Sequence, residues 1–235
     1  MDAPDDLDAQ ARRIDPDRWL ASRFIADAAR RADVIAIYAL DEELARAPVA
    51  AREPLAAEIR LTWWREAIEG VVAGAGARGH PVLTALGVAI ARRGLAAEPL
   101  LAMVEARFDD IEAEPFAGLT AVQAYADGVS GAPMSLALAV LGHGDAQALR
   151  PAALAWTLAR QVRLNPDRVA GLGEDARTLG LAALVQAQAA ANDLPVAAFP
   201  AVAHLALARA YLNGRLPGEL ERRLRLLGAT VRGRV

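Results

Sequence analysis

The sequence predicts an all-α protein, and three observations predict it. Alanine, the best helix former, supplies roughly a quarter of the 235 residues. Valine, isoleucine and aromatic residues, which strands favour, are sparse, with aromatics at 5%. Apolar residues recur at helical spacing in one segment after another. At 54% hydrophobic residues and a mean hydropathy of +0.20, the chain can bury a large core.

The elements follow in order. Residues 1–14, beginning "MDAPDDLDAQARR", are acidic and lack an apolar centre, so they read as a flexible tail and not as a signal peptide. Residues 17–46 read as one or two helices. In the helix from Pro54 to Val72, Leu55, Ile59, Trp63 and Ala67 recur every four residues and read as one face of a helix. Pro54 suits the first turn. "GVVAGAGARGHP" then breaks the pattern. The next helix runs from Pro81 to Arg93, with Gly94 as its C-cap. Leu101, Val104, Phe108 and Ile111 carry a helix to Glu114. Thr120 is placed as the cap of a long helix to Leu141, kinked at Gly131 and Pro133. Residues 145–165 form a helix stopped at "NP". Helices over 176–191, 196–213 and 217–228 complete the chain. No 20–50-residue repeat is present, which argues against a solenoid.

Composition excludes several functions. All 26 basic residues are arginine, which rules out a catalytic lysine; a GC-rich codon bias is the simplest reason. The absence of cysteine rules out disulfides, thiol catalysis and thiolate metal sites. A net charge of −3 argues against a nucleic-acid partner. The longest uncharged run, Gly128 to Gly144, is too short and too rich in Gly and Pro to span a bilayer.

Four local patterns have two readings each. Gly74, Gly76 and Gly79 spell G-x-G-x-x-G, but a helix precedes them where a dinucleotide fingerprint needs a strand, so they read as an interhelix loop. His80, His143 and His204 are dispersed and read as core or surface histidines and not as a metal or triad site. Glu105, Asp109 and Glu112 share a helix face at 4,3 spacing. That face could hold a hard cation, though a solvated surface explains it as well and is preferred. Residues 216–234 place Leu216, Leu220, Leu224 and Leu227 among Arg222, Arg223 and Arg225. This basic amphipathic helix either packs on the bundle or contacts a membrane or partner.

The pieces "DPDRWLASRFI", "IAIYALDEELAR", "EIRLTWWREAIEG", "HPVLTALGVAIARRGL", "FDDIEAEPF", "YADGVSGAPM" and "LARQVR" follow one another in order. Together, over residues 15–215, they resemble the squalene/phytoene synthase family. The resemblance implies the isoprenoid synthase fold: one domain over 15–228, about nine or ten helices around a central cavity. Members join two allylic diphosphates such as farnesyl or geranylgeranyl diphosphate. Two helices each carry Asp-x-x-x-Asp facing the cavity, because carboxylates at i and i+4 share a face and jointly hold Mg²⁺ beside the leaving diphosphate.

Here the positions implied for those aspartates are Ala45 and Val49 in the first motif, Leu164 and Arg168 in the second. Asp41 falls one turn early, and Glu42 stands where members carry a substrate-holding arginine. Asp167 is one residue off, and Arg160 replaces the asparagine before the second motif. Tyr38, Asp41, Glu42, Arg160, Arg163 and Asp167 are the candidates for lining the cavity. The expectation is a non-catalytic member with no metal and no cofactor. "EIRLTWWREAIEG" looks most like the branch resembling the respiratory complex I assembly factor. That branch implies an assembly, scaffolding or lipid-binding role, with a respiratory-complex subunit or an isoprenoid-like lipid as partner. The place would be the cytoplasm, peripheral to the inner membrane through 216–234. The alternative is an active head-to-head prenyltransferase that uses Mg²⁺ through relocated ligands.

Overall fold

Aspartates start the first three helices. Asp6 Oδ1 accepts from the backbone N–H of Asp8 (3.1 Å) and Ala9 (3.3 Å). Asp15 Oδ1 accepts from Arg18 N–H at 3.0 Å, and Asp27 Oδ1 from Arg30 N–H at 2.9 Å. Each satisfies a donor that a helix start leaves open. They open α1 (Leu7–Ile14), α2 (Pro16–Ser22) and α3 (Ala28–Val49). The computed structural model describes residues 6–51, 53–77, 79–144, 149–172 and 175–234. Within the stretch assigned to a flexible tail, residues 7–14 are helical: α1 packs on α2 and α3 and buries Ala11. Residues 1–5 lie outside the described residues.

Proline starts the next two helices, α4 (Pro54–Val72) and α5 (Pro81–Arg93), and Gly94 ends α5 in the left-handed region at φ 66°. The G-x-G-x-x-G stretch falls in the loop between them. The α4 face differs from the sequence expectation. Leu55, Ile59 and Trp63 of that stripe are exposed and its Ala67 is buried, together with Ala57, Leu61, Trp64, Ile68 and Val71. A strict four-residue repeat drifts by about 40° per step around a helix, whereas alternating 4,3 steps hold one face.

Helix α6 (Ala97–Arg107) ends earlier than expected, in a 3₁₀ turn at Phe108–Asp110. It buries Leu100, Met103, Val104 and Arg107; of the expected stripe only Val104 is fully buried. Helix α7 (Leu119–Ala126) starts at Gly118 and not at Thr120. The expected kink is a π-turn, Asp127–Gly131, leading into α8 (Ala132–Val140). This turn lies so close to α6 that a Cβ at Gly128 would sit 2.4 Å from the Ala106 Cβ and 2.8 Å from the Ala102 carbonyl oxygen. Gly128→Ala is therefore expected to lower stability by about 1–3 kcal/mol in urea unfolding. An unchanged midpoint would mean that α6 and the turn separate freely.

Helix α9 (Arg150–Leu164) stops at Asn165, followed by the short α10 (Pro166–Val169). Then come α11 (Ala176–Ala191), two 3₁₀ segments at Phe199–Ala201 and Ala203–Leu207, α12 (Ala208–Leu212) and α13 (Glu219–Arg232). The single helix expected over 196–213 is thus broken into short pieces. No strand forms among the described residues. Helix α3 runs through the middle, packed by α1, α4, α5, α6 and α8, while α9 packs on α11, α12 and the π-turn. The interior between these groups is where the functional side chains meet. Among the described residues no helix is long and apolar enough to cross a membrane.

Candidate functional site

At the centre of the bundle, α3 turns Asp41 inward until it is 1% exposed. Its two carboxylate oxygens accept from two arginines, Oδ2 from Arg18 Nη2 of α2 at 2.6 Å and Oδ1 from Arg107 Nη2 of α6 at 2.8 Å. Each arginine continues to another acid. Arg18 Nε donates to Asp15 Oδ2 at 2.5 Å, and Arg107 Nη1 to Asp110 Oδ2 at 3.0 Å. Asp110 Oδ1 in turn accepts from Arg168 Nη1 at 2.5 Å and from the Tyr125 hydroxyl at 2.8 Å. At the other end Arg160 lies 3.6 Å from Asp15. The result is one alternating chain, Arg160–Asp15–Arg18–Asp41–Arg107–Asp110–Arg168. Aromatic faces brace it: Arg18 lies 4.8 Å from the Tyr38 centroid, and Arg168 lies 4.4 Å from Phe116 and 4.7 Å from Tyr125.

The electrostatics follow from this arrangement. Burial pushes the Asp15 and Asp41 carboxyls up, but the adjacent guanidiniums outweigh it and hold both below the ordinary range: Arg18 and Arg160 at Asp15, Arg18, Arg107 and Arg160 at Asp41. Glu42 lies 3.8 Å from Arg18. Its burial, with the charges of Asp41 and Asp15 added, overcomes Arg18 and Arg160 and lifts it to about 7. The chain holds four arginines against three aspartates, so it carries +1 with Glu42 protonated and zero with Glu42 ionised.

Beside the chain, His204 is fully buried and its ring meets Trp156 edge-on at 4.6 Å. Burial, reinforced by Arg18, drives its pKa down to about 3, so it is neutral. The enclosed space bounded by Arg18, Tyr38, Ser130, Trp156 and His204 is too small for a water molecule. At this point the interior is filled by charged and aromatic side chains.

Of the residues singled out from sequence, Tyr38, Asp41, Glu42 and Arg160 converge here. Arg163 and Asp167 are exposed, and Arg163 lies over the Tyr211 ring at 4.9 Å. Ala45 is half-buried, whereas Val49 is 83% and Leu164 50% exposed. Arg168, read as a displaced aspartate position, is the inward link to Asp110. Glu105, Asp109 and Glu112 are exposed, and Glu105 Oε1 accepts from Arg65 Nε at 2.6 Å. Among the described residues no three carboxylate or imidazole groups converge as metal ligands would. Sequence reasoning missed Arg18, Arg107, Asp15 and Asp110. Their signal was present as two acid–arginine pairs at i,i+3, Asp15/Arg18 and Arg107/Asp110.

Comparison with known proteins comes to the same bundle. The family model for squalene/phytoene synthase matches residues 11–163. A dehydrosqualene synthase solved in complex with ligand superposes with a TM-score of 0.75 at 13% identity, covering 96% of this chain and 94% of that one. Squalene synthase HpnC from Alicyclobacillus acidocaldarius superposes with a TM-score of 0.60 at 18% identity, covering 97% and 92%. These likenesses give the fold, an all-α isoprenoid synthase bundle. No curated protein matches the chain.

Proposed function

The chain belongs to the squalene/phytoene synthase family, and from that premise we propose that it is a non-catalytic member, a helical scaffold whose diphosphate–metal centre has given way to a buried ion-pair chain. The observation that carries this reading is the double engagement of Asp41 by Arg18 and Arg107. Magnesium requires oxygen ligands at about 2.0–2.1 Å in near-octahedral array. A magnesium ion at Asp41 would face two guanidiniums already seated on both oxygens, with no second carboxylate on the same face at Ala45. The residues present therefore do not fit a magnesium–diphosphate centre.

A scaffold needs an accessible contact surface. Val49, Leu55, Ile59 and Trp63 supply exposed apolar side chains at the end of α3 and along α4. Trp63 lies in the segment "EIRLTWWREAIEG" that carries the likeness to the respiratory complex I assembly branch. It borders a surface groove with Arg46, Arg60 and His80. Assembly of a membrane-bound respiratory complex, with one of its subunits as partner, is the role this combination supports.

The test is incubation of the purified protein with farnesyl or geranylgeranyl diphosphate and Mg²⁺. Pyrophosphate release is expected to stay at the level of a protein-free blank. Metal-dependent release above that blank, abolished by EDTA, would establish an active prenyltransferase instead.

A further inference from the structure

Helix α13 has two apolar faces, and the bundle uses only one. Leu226 and Ala229 are buried against the core, and Arg222 Nη1 donates to Asp17 Oδ1 at 3.2 Å, tying the helix to α2. On the opposite side Leu220, Leu224, Leu227 and Val231 are exposed, Leu220 by 71% and Val231 by 76%. Their 4,3,4 spacing gathers them into about 60° of the helix circumference. Arg223 flanks this stripe on one side; on the other Glu221, paired with Arg215 and Arg225, borders it with Arg232 beyond.

The charge is as lopsided as the apolarity. Residues 215–234 contain six arginines and two glutamates, a net +4. The whole chain is −3, so the remainder carries −3 − 4 = −7. Arg223 pairs with Glu219 and Arg225 with Glu221, but such exposed pairs contribute little and leave the net charge in place.

We propose that α13 is a membrane-surface helix that lays its Leu220/Leu224/Leu227/Val231 stripe into an anionic lipid bilayer, with the flanking arginines at headgroup depth. The stripe is purely aliphatic and lies on the convex side of a single helix. That shape suits a deformable apolar layer, and the arginines on both flanks are placed as interfacial helices place them. A second copy of the chain is disfavoured, because pairing the two stripes would set +4 against +4. The −7 remainder is repelled by an anionic surface, which fixes orientation: α13 faces the lipid and the bundle stands away from it. This inference does not depend on whether the bundle interior is catalytic.

The experiment is co-sedimentation of the intact protein with phosphatidylcholine vesicles, with and without phosphatidylglycerol. Binding is expected only to the phosphatidylglycerol vesicles and is expected to fall with added salt. Arg223→Ala and Arg232→Ala should each reduce partitioning on the order of fivefold, as removal of one cation near an anionic surface does. Leu224→Asp should abolish binding while leaving the melting transition unchanged, since Leu224 is exposed. Failure to bind phosphatidylglycerol vesicles, or binding that survives Leu224→Asp in a folded protein, would overturn the proposal. So would a concentration-dependent dimer that Leu224→Asp dissociates in the absence of vesicle binding, which would assign the stripe to a second copy.

Discussion

Asp41→Asn is expected to destabilise the fold by about 3–5 kcal/mol, the usual penalty for stranding a buried charge. The substitution keeps the volume of the side chain, so packing loss is small and the effect is electrostatic. Among the described residues Asp41 is the one acid that joins the α2 arginine to the α6 arginine. Without its charge Arg18 keeps Asp15 and Arg107 keeps Asp110, but two guanidiniums converge on a neutral amide in the interior. Urea unfolding at neutral pH measures this directly. The matching variant, Asp41→Asn with Arg107→Met, should recover part of the loss, because one of the two stranded cations is then removed. A loss below about 1 kcal/mol for Asp41→Asn would mean that water reaches the chain and screens it.

The second large effect is expected from Glu42→Gln, and its size depends on pH. Glu42 titrates at about 7 in the folded protein against an ordinary glutamate value of 4.5. Between those values the folded chain keeps a proton that the unfolded chain has released. The contribution to stability is therefore complete below pH 4.5 and is lost as pH rises through 7. Glutamine mimics the protonated side chain at every pH. Glu42→Gln should leave stability at pH 4 nearly unchanged and raise it by up to about 3 kcal/mol at pH 8 and above. Asp15 and Asp41 act in the opposite sense. Their lowered pKa values give stability that is present above the unfolded carboxylate range and lost as pH falls. Together the two effects place maximum stability of the natural protein between about pH 4 and 5, and Glu42→Gln should extend that range upward. Equal slopes for the two proteins between pH 5 and 8 would remove Glu42 as the titrating group.

Much of the fold was legible because its signals are local. Pro54, Pro81 and Gly94 mark helix ends by backbone chemistry, and α4 and α5 begin and end where these residues place them. The α4 face was misread because a four-residue repeat looks helical while drifting off the axis. Leu55 and Ile59 are long enough to suggest a core, yet they face solvent. The segment after Asp193 was read as one helix because its alanines and leucines favour helix; packing instead divides it into 3₁₀ turns around the buried Phe199 and His204.

The site was less legible. Asp41, Glu42, Tyr38 and Arg160 were visible through the motif positions that surround them. The arginines that occupy Asp41 come from residues 23 and 66 positions away. Only tertiary packing brings them together, and no spacing rule reports it. Arg168 shows the same limit: read along the chain it is a missing acid, while in the bundle it anchors the far end of an ion-pair chain. Glu42 was legible as a charge ill-suited to a diphosphate, but its titration near neutrality depends on burial beside Asp41, which sequence does not give.

Arginines, and not magnesium, are proposed to hold the acid at the heart of this bundle. The most direct measurement is a crystal structure grown with Mg²⁺ and a non-reactive farnesyl diphosphate analogue. Asp41 is expected still to bridge Arg18 and Arg107, with neither metal nor diphosphate in the interior. Magnesium coordinated by Asp41 beside a bound diphosphate, with the two arginines displaced, would contradict it.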